Sequence, residues 1–185
     1  ELVRRARRRV AGRIPVIAGS GTNGTAKSIA LSKAAEAAGA DALLVVTPYY
    51  NKPTQEGLFR HFTAIADAVG IPVILYTVPG RTACDMLADT VARLSHHPRI
   101  VGVKEATGDV ARGEAVLTQS RPGFILLSGD DPTAADLIRI GASGSSMSGS
   151  TTCASGSPKR TLNSMTFGPA AVSIRPQYRN PRKGV

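Results

Sequence analysis

Residues 72–106, PVILYTVPGRTACDMLADTVARLSHHPRIVGVKEA, hold two short β-branched apolar runs, P-V-I-L-Y-T-V-P (72–79) and I-V-G-V-K-E-A (100–106). Between them L-A-D-T-V-A-R-L-S (87–95) carries apolar residues three or four apart. Continuous apolar runs of this length suit strands buried on both faces, which is the condition of a parallel sheet, and the spacing between them is helical. The stretch therefore reads as strand, helix, strand. The same unit continues outward in both directions. P-V-I-A-G (15–19) and A-L-L-V-V-T-P (42–48) come before it and F-I-L-L-S-G-D-D (124–131) after it. Helical spacing recurs over 25–38, 54–69, 110–118 and 132–140, with Thr25, Thr54 and the pair Asp131-Pro132 as opening signals. The strand starts at 15, 42, 72, 100 and 124 lie 27, 30, 28 and 24 residues apart, a βα period.

Such a period fits an open doubly wound sheet or a closed (β/α)8 barrel, since both use the same right-handed unit. Two observations favour the barrel. No G-x-G-x-x-G follows any strand, and polar residues gather at the carboxyl ends of successive strands: Thr47, Tyr49 and Tyr50, then Tyr76 and Arg81, then Lys104 and Glu105, then Asp130 and Asp131. Barrel enzymes place their chemistry on that face, contributed by different strands. A complete barrel needs about 250 residues, and this chain has 185. The expected fold is α/β, an incomplete (β/α)8 TIM barrel with about five βα units over residues 1–144. Residues 145–185 turn rich in Ser, Thr, Pro and Arg without apolar period or acidic residues, a composition expected to stay disordered.

Charge sharpens this division. The formal net charge is +10, yet residues 1–13 hold six arginines and one acid, and 142–185 hold six bases and no acid, leaving −1 for 14–141. A nucleic-acid partner would rest on the charge of these ends alone, with no stacking aromatics behind it, and none is expected. No apolar run approaches the roughly 18 residues of a membrane helix, so no membrane partner is expected either. Two cysteines, Cys84 and Cys153, make neither a disulfide framework nor a metal site, and a reducing, cytoplasmic setting is expected. The absence of an initiating Met leads us to expect a sequence that begins inside a longer reading frame.

Four lysines fall within 14–141. Lys27 and Lys33 read as a polar helix face and Lys52 as a loop residue, but Lys104 sits inside an apolar strand. Burial there lowers an ammonium's pKa and leaves a neutral fraction nucleophilic toward a carbonyl carbon. The plainer reading is a strand-end lysine whose stem packs while its head reaches solvent or Glu105. Tyr76 reads either as a core aromatic with a satisfied hydroxyl or, one βα unit before Lys104, as a phenol able to move protons for that amine. Arg81 follows a Pro-Gly turn and reads as a solvated rim residue or as a fork for a substrate carboxylate. Tyr49 and Tyr50 are two consecutive rings in a loop, suited to an oligomer contact, a catalytic role, or both.

The segments G-R-I-P-V-I-A-G-S-G-T-N-G-T (12–25), T-P-Y-Y-N-K-P-T-Q-E-G-L (47–58), L-Y-T-V-P-G-R-T-A-C-D (75–85), V-G-V-K-E-A-T-G-D (101–109) and L-S-G-D-D (127–131) resemble the dihydrodipicolinate synthase family, continuously from about Arg13 to Gly144. The resemblance implies a class I aldolase-type lyase that condenses pyruvate with L-aspartate 4-semialdehyde through a lysine Schiff base, in lysine and diaminopimelate biosynthesis. It implies no metal and no organic cofactor. By the same resemblance Lys104 is the Schiff-base lysine, Tyr76 relays protons, and Tyr50 is lent to a neighbouring subunit of a homo-oligomer, typically a tetramer. Arg81 and Gly129 fall among the substrate-binding positions. Other Schiff-base aldolases of the N-acetylneuraminate lyase superfamily usually lack the P-G-R-T-x-C-D segment, so Arg81 discriminates.

Departures from the family pattern carry their own expectations. The family's first two strands, with a G-T-T-G-E loop, and its apolar eighth strand are expected to be missing. The change of text after Gly144 suggests a frame shift, testable by resequencing. A catalytically dead fragment is the corresponding alternative. Asn23, Lys27 and Tyr49 fall at effector-site positions for feedback lysine, and Lys27 puts a cation where the family's sensitive members have an acid. It would repel the effector's ammonium, so weak lysine inhibition of the intact parent enzyme is expected.

Overall fold

The computed structural model describes residues 1–145 and the short strand 172–174. Its elements in chain order are α1 (Leu2–Val10), β1 (Val16–Gly19), α2 (Thr25–Ala37), β2 (Ala42–Val46), α3 (Gln55–Asp67), β3 (Val73–Thr77), α4 (Pro79–Thr82), α5 (Ala88–Ser95), β4 (Ile100–Glu105), α6 (Val110–Gln119), β5 (Ile125–Ser128), α7 (Ala134–Arg139), β6 (Gly144–Ser145) and β7 (Val172–Ile174). Strands β1 to β6 pair in parallel in the order of the chain, and β7 pairs in parallel with β1. A doubly wound sheet reverses its strand order at a switch point. This sheet never does, so its helices gather on one face, and the fold is an incomplete TIM barrel.

The two faces bury different residues. Outward-pointing Leu43, Val45, Leu75, Val103 and Leu126 pack with Leu58, Phe62 and Ile65 of α3 and with Val91 and Leu94 of α5 in the main core. Inward-pointing Ile17, Leu44, Ile74 and Tyr76 form a second, smaller cluster. A fully buried Phe62 or Leu58 side chain stabilises the fold by about 1.5–3 kcal/mol.

One irregularity sets the position of the site. Ile100 and Val103 both join the outer core although they are three residues apart, and strict alternation cannot put both on one face. The register accordingly slips between Val73 and Ile74, which pair with Ile100 and Gly102, leaving Val101 as the extra residue of a bulge. Beyond it Tyr76 lies opposite Lys104. Without the slip Tyr76 would face Val103, and Lys104 would turn toward the helices.

Sequence and structure differ at several element ends. Thr54 caps α3 as expected, its side chain accepting from Gly57 N, but Thr25 is the first residue inside α2 and its hydroxyl is 2.8 Å from His61 Nδ1. Asp131-Pro132 do not open α7. Instead, Asp130 Oδ2 accepts from the backbone and hydroxyl of Thr133. The eighth family strand, expected to be missing, is represented by two residues: Gly144 and Ser145 pair with Leu127 and Ser128, since main-chain pairing needs no apolar side chain. The basic first helix packs onto the sheet. Val10 is buried, and Arg7 donates to both carboxylate oxygens of Asp41, which also accepts from Val16 N. The expectations of a disordered or frame-shifted tail over 145–185 lie outside the described residues, apart from Ser145 and β7. No described helix is long and apolar enough to cross a membrane.

His61 gives the fold a pH dependence. It is buried on α3, Nε2 makes no hydrogen bond among the described residues, and burial pushes its pKa down to about 4 from 6.5. Below pH 6.5 the unfolded chain takes up a proton that the folded chain refuses. Stability is therefore expected to fall as the pH drops from about 6.5 to about 4, by at most about 3 kcal/mol, with no further loss from this group below that. Urea midpoints at pH 7, 5.5 and 4.5 for the chain and for His61→Gln check this; the substitution should flatten this part of the profile.

Candidate active site

Lys104 lies near the carboxyl end of β4, 5% exposed, and Tyr76 lies opposite it on β3, 7% exposed. The ammonium Nζ stands 4.8 Å from the centroid of the Tyr76 ring, within cation–π range. Thus the two residues meet as expected, on the inner face and away from the helices. The next residue, Glu105, alternates to the helix side, where its Oε1 accepts from Thr107 N. Burial pushes its carboxyl above the usual range, opposed by the Thr107 hydrogen bonds and the nearby Arg112.

Gly129 follows β5 and donates its backbone N–H to Glu105 O. A Cβ at this position would lie 2.6 Å from Lys104 Cε and 2.9 Å from Ala106 Cβ. The absence of a side chain at 129 is therefore what leaves room for the lysine stem.

Arg81 is exposed just beyond β3. The expected Pro-Gly turn is a turn of helix, α4, with Pro79 in its first turn and Ala83 at φ 53° ending it. Thr82 is buried, its single hydroxyl proton shared between Val78 O and Cys84 O, each at 3.1 Å, while its oxygen accepts from Thr47 Oγ1 at 3.3 Å. Burial raises the Cys84 thiol's pKa, so it is no ready nucleophile.

Tyr50 is not gathered with Lys104 and Tyr76. It is 88% exposed with φ 77°, and its loop neighbour Lys52 has φ 42°. Such φ values cost a non-glycine residue about 1–2 kcal/mol. Asn51 Nδ2 donates to Asn23 O, which ties the Tyr49-Tyr50 loop to the turn before α2. Asn23, Lys27 and Tyr49, the positions expected to face an effector, are all exposed. Among the described residues no three His, Cys, Asp or Glu side chains are grouped to hold a metal ion.

Residues overlooked in the sequence reading hold the segment after Arg81. Arg112 donates to both carboxylate oxygens of Asp85, at 2.7 and 2.8 Å, and to Met86 O. Gln55 donates to Asp85 O and accepts from Leu87 N. These partners are about thirty residues apart in the chain, joined by side chains on separate βα units.

A buried lysine facing a tyrosine at the carboxyl end of a sheet wound in one direction lies on the face where barrel enzymes place their chemistry. The chain belongs to the dihydrodipicolinate synthetase family, which it matches over residues 1–167. It is 60% identical over 144 residues to the 4-hydroxy-tetrahydrodipicolinate synthase of Stutzerimonas stutzeri, covering 78% of this chain and 49% of that protein. Among solved structures, the dihydrodipicolinate synthase of Bacillus anthracis aligns with a TM-score of 0.77 at 44% identity, over 78% of this chain and 49% of that one. The chloride-inhibited dihydrodipicolinate synthase of Acinetobacter baumannii, complexed with pyruvate, aligns with a TM-score of 0.75 at 53% identity, over 77% and 49%. The chain spans about half the length of the relatives it matches.

Proposed function

We propose that the chain carries the pyruvate-binding lysine of a 4-hydroxy-tetrahydrodipicolinate synthase, acting in lysine and diaminopimelate biosynthesis. The observation that carries this reading is the buried Lys104, its Nζ over the Tyr76 ring and its stem beside Gly129. The neutral amine adds to the keto carbon of pyruvate, and water leaves as the imine forms. The Tyr76 hydroxyl relays the protons of these steps. Loss of a methyl proton gives an enamine, whose carbon bonds to the aldehyde carbon of L-aspartate 4-semialdehyde while the aldehyde oxygen takes a proton. The imine is itself the electron sink, so the sequence of steps requires no metal or organic cofactor. Ring closure through the semialdehyde's amine then frees the lysine.

Arg81, exposed at the mouth, binds the semialdehyde's carboxylate, which favours this reading over a sugar-acid aldolase. Tyr50, projecting on a strained loop, reaches a second subunit of a homo-oligomer, a tetramer by family, in the cytoplasm. Asn23, Lys27 and Tyr49 form the altered effector site. Borohydride reduction in the presence of pyruvate, followed by peptide mass spectrometry, tests the central claim. The expected result is a pyruvate-derived adduct on Lys104; its absence there overturns the reading.

A further inference from the structure

We propose that Arg112 and Asp85 are a pair of positioning residues that fix the Arg81 turn relative to Lys104, and so set recognition of the second substrate's carboxylate; this rests on the function proposed above. Arg81 and Lys104 lie on different βα units, and Arg81 is exposed on a segment with only four residues of helix, Pro79–Thr82. Such a segment takes its position from what holds its far end. That end is Asp85-Met86; Gln55 of α3 holds its main chain, and the group that grips the Asp85 carboxylate comes from the Lys104 unit.

Arg112 is in the first turn of α6, the helix that follows β4. Its own position is fixed because Asp109, the N-cap, accepts from Arg112 N at 3.2 Å. From there its guanidinium makes a two-pronged bond to Asp85 and a third bond to Met86 O, with only 18% of its side chain exposed. A fork of this kind fixes orientation as well as distance, which a single point charge does not. The Asp85 carboxylate raises the guanidinium's pKa further, and Glu105, next to the lysine, adds to the same field. The pair therefore couples the strand end bearing the nucleophile to the turn bearing the carboxylate-binding arginine. Neither Arg112 nor Asp85 is assigned a contact with either substrate.

The test separates the two substrates. The chain is treated with pyruvate, cyanoborohydride and increasing succinic semialdehyde, which keeps the aldehyde and carboxylate but lacks the amine that closes the ring. Mass spectrometry of the Lys104 peptide then distinguishes the simple pyruvate adduct from the heavier condensed one. In Arg112→Gln and in Asp85→Asn, simple-adduct formation without aldehyde should stay within about twofold of the unaltered chain. The aldehyde concentration giving half-maximal condensed adduct should rise about tenfold or more. Arg112→Lys should fall between, and the double exchange Asp85→Arg with Arg112→Asp should recover part of the loss. An unchanged aldehyde dependence overturns the proposal. So does a parallel fall of both adducts, which marks a merely structural pair, or a failure of the unaltered chain to form the condensed adduct. Absence of even the simple adduct in the unaltered chain overturns the Schiff-base reading beneath it.

Discussion

With Lys104 replaced by methionine, pyruvate and borohydride are expected to leave the chain without a labelled site. Methionine has nearly the volume and flexibility of the lysine stem, so it fits the space between Tyr76 and Gly129 while removing the buried amine that adds to the keto carbon. The site is 5% exposed, and exchanging an ammonium for a thioether there does not bury a new charge. The urea midpoint should therefore stay close to that of the unaltered chain, which separates lost chemistry from lost structure. Lys27, Lys33 and Lys52 are exposed and provide the control. If the label simply moves to them, or if Lys104→Met labels as well as the unaltered chain, the assignment fails. Tyr76→Phe sharpens the result, since the ring stays against the amine and only the hydroxyl is lost. Adduct formation should slow by about 10²–10⁴, the usual contribution of a positioned acid or base.

Gly102→Ala is expected to be the most damaging single methyl added to the sheet beside the site. Its Cβ would lie 2.6 Å from Ile125 O and 2.7 Å from Ile125 Cβ. The first of these is main chain, held in the β4–β5 pairing, and it has no rotamer to change. Relief requires the two strands to separate, which weakens the pairing of Val103 with Leu126 and of Lys104 with Leu127. A destabilisation of about 3 kcal/mol or more should follow. The loss should also reach the site, because Gly129 meets the Lys104 stem only while β5 stays against β4. Urea unfolding measures the first effect and adduct formation at low urea the second. An unaltered midpoint would show that β4 and β5 can move apart at little cost.

Strand placement was legible because burial on both faces writes itself as unbroken apolar text. Val16, Ala42, Val73, Ile100 and Ile125 begin strands within a residue of where that text begins. The meeting of Tyr76 with Lys104 was legible as adjacency of two units, but not as register. Register depends on the bulge at Val101, and the bulge follows from Ile100 and Val103 both belonging to the helix-side core, a demand visible only once the helices are in place. Gly129 stood inside a motif whose reason appears only when the lysine stem is seen to occupy its missing side chain. The hold of Arg112 on Asp85 was out of reach for a different reason. It joins positions on separate units through side chains alone, and no periodicity records such a contact. The helix at Thr25 begins where expected, but the capping roles read at Thr25 and Asp131 gave way to short-range choices: the Thr25 hydroxyl goes to His61, and Asp130 stands in for Asp131 at Thr133.

The unbroken order of β1 to β6 also bears on how such a chain is made. Each strand's partner is the one synthesised just before it, and no paired residues among these six strands are farther apart than Leu43 and Val73 or their neighbours in register. Pairings of this kind close loops of similar length, and closure entropy grows only slowly with length, so the entropy lost at each addition is similar. The sheet can lengthen one unit at a time as the polypeptide emerges, each completed unit presenting the template for the next. The Lys104–Tyr76 pair is then in place as soon as β4 joins β3.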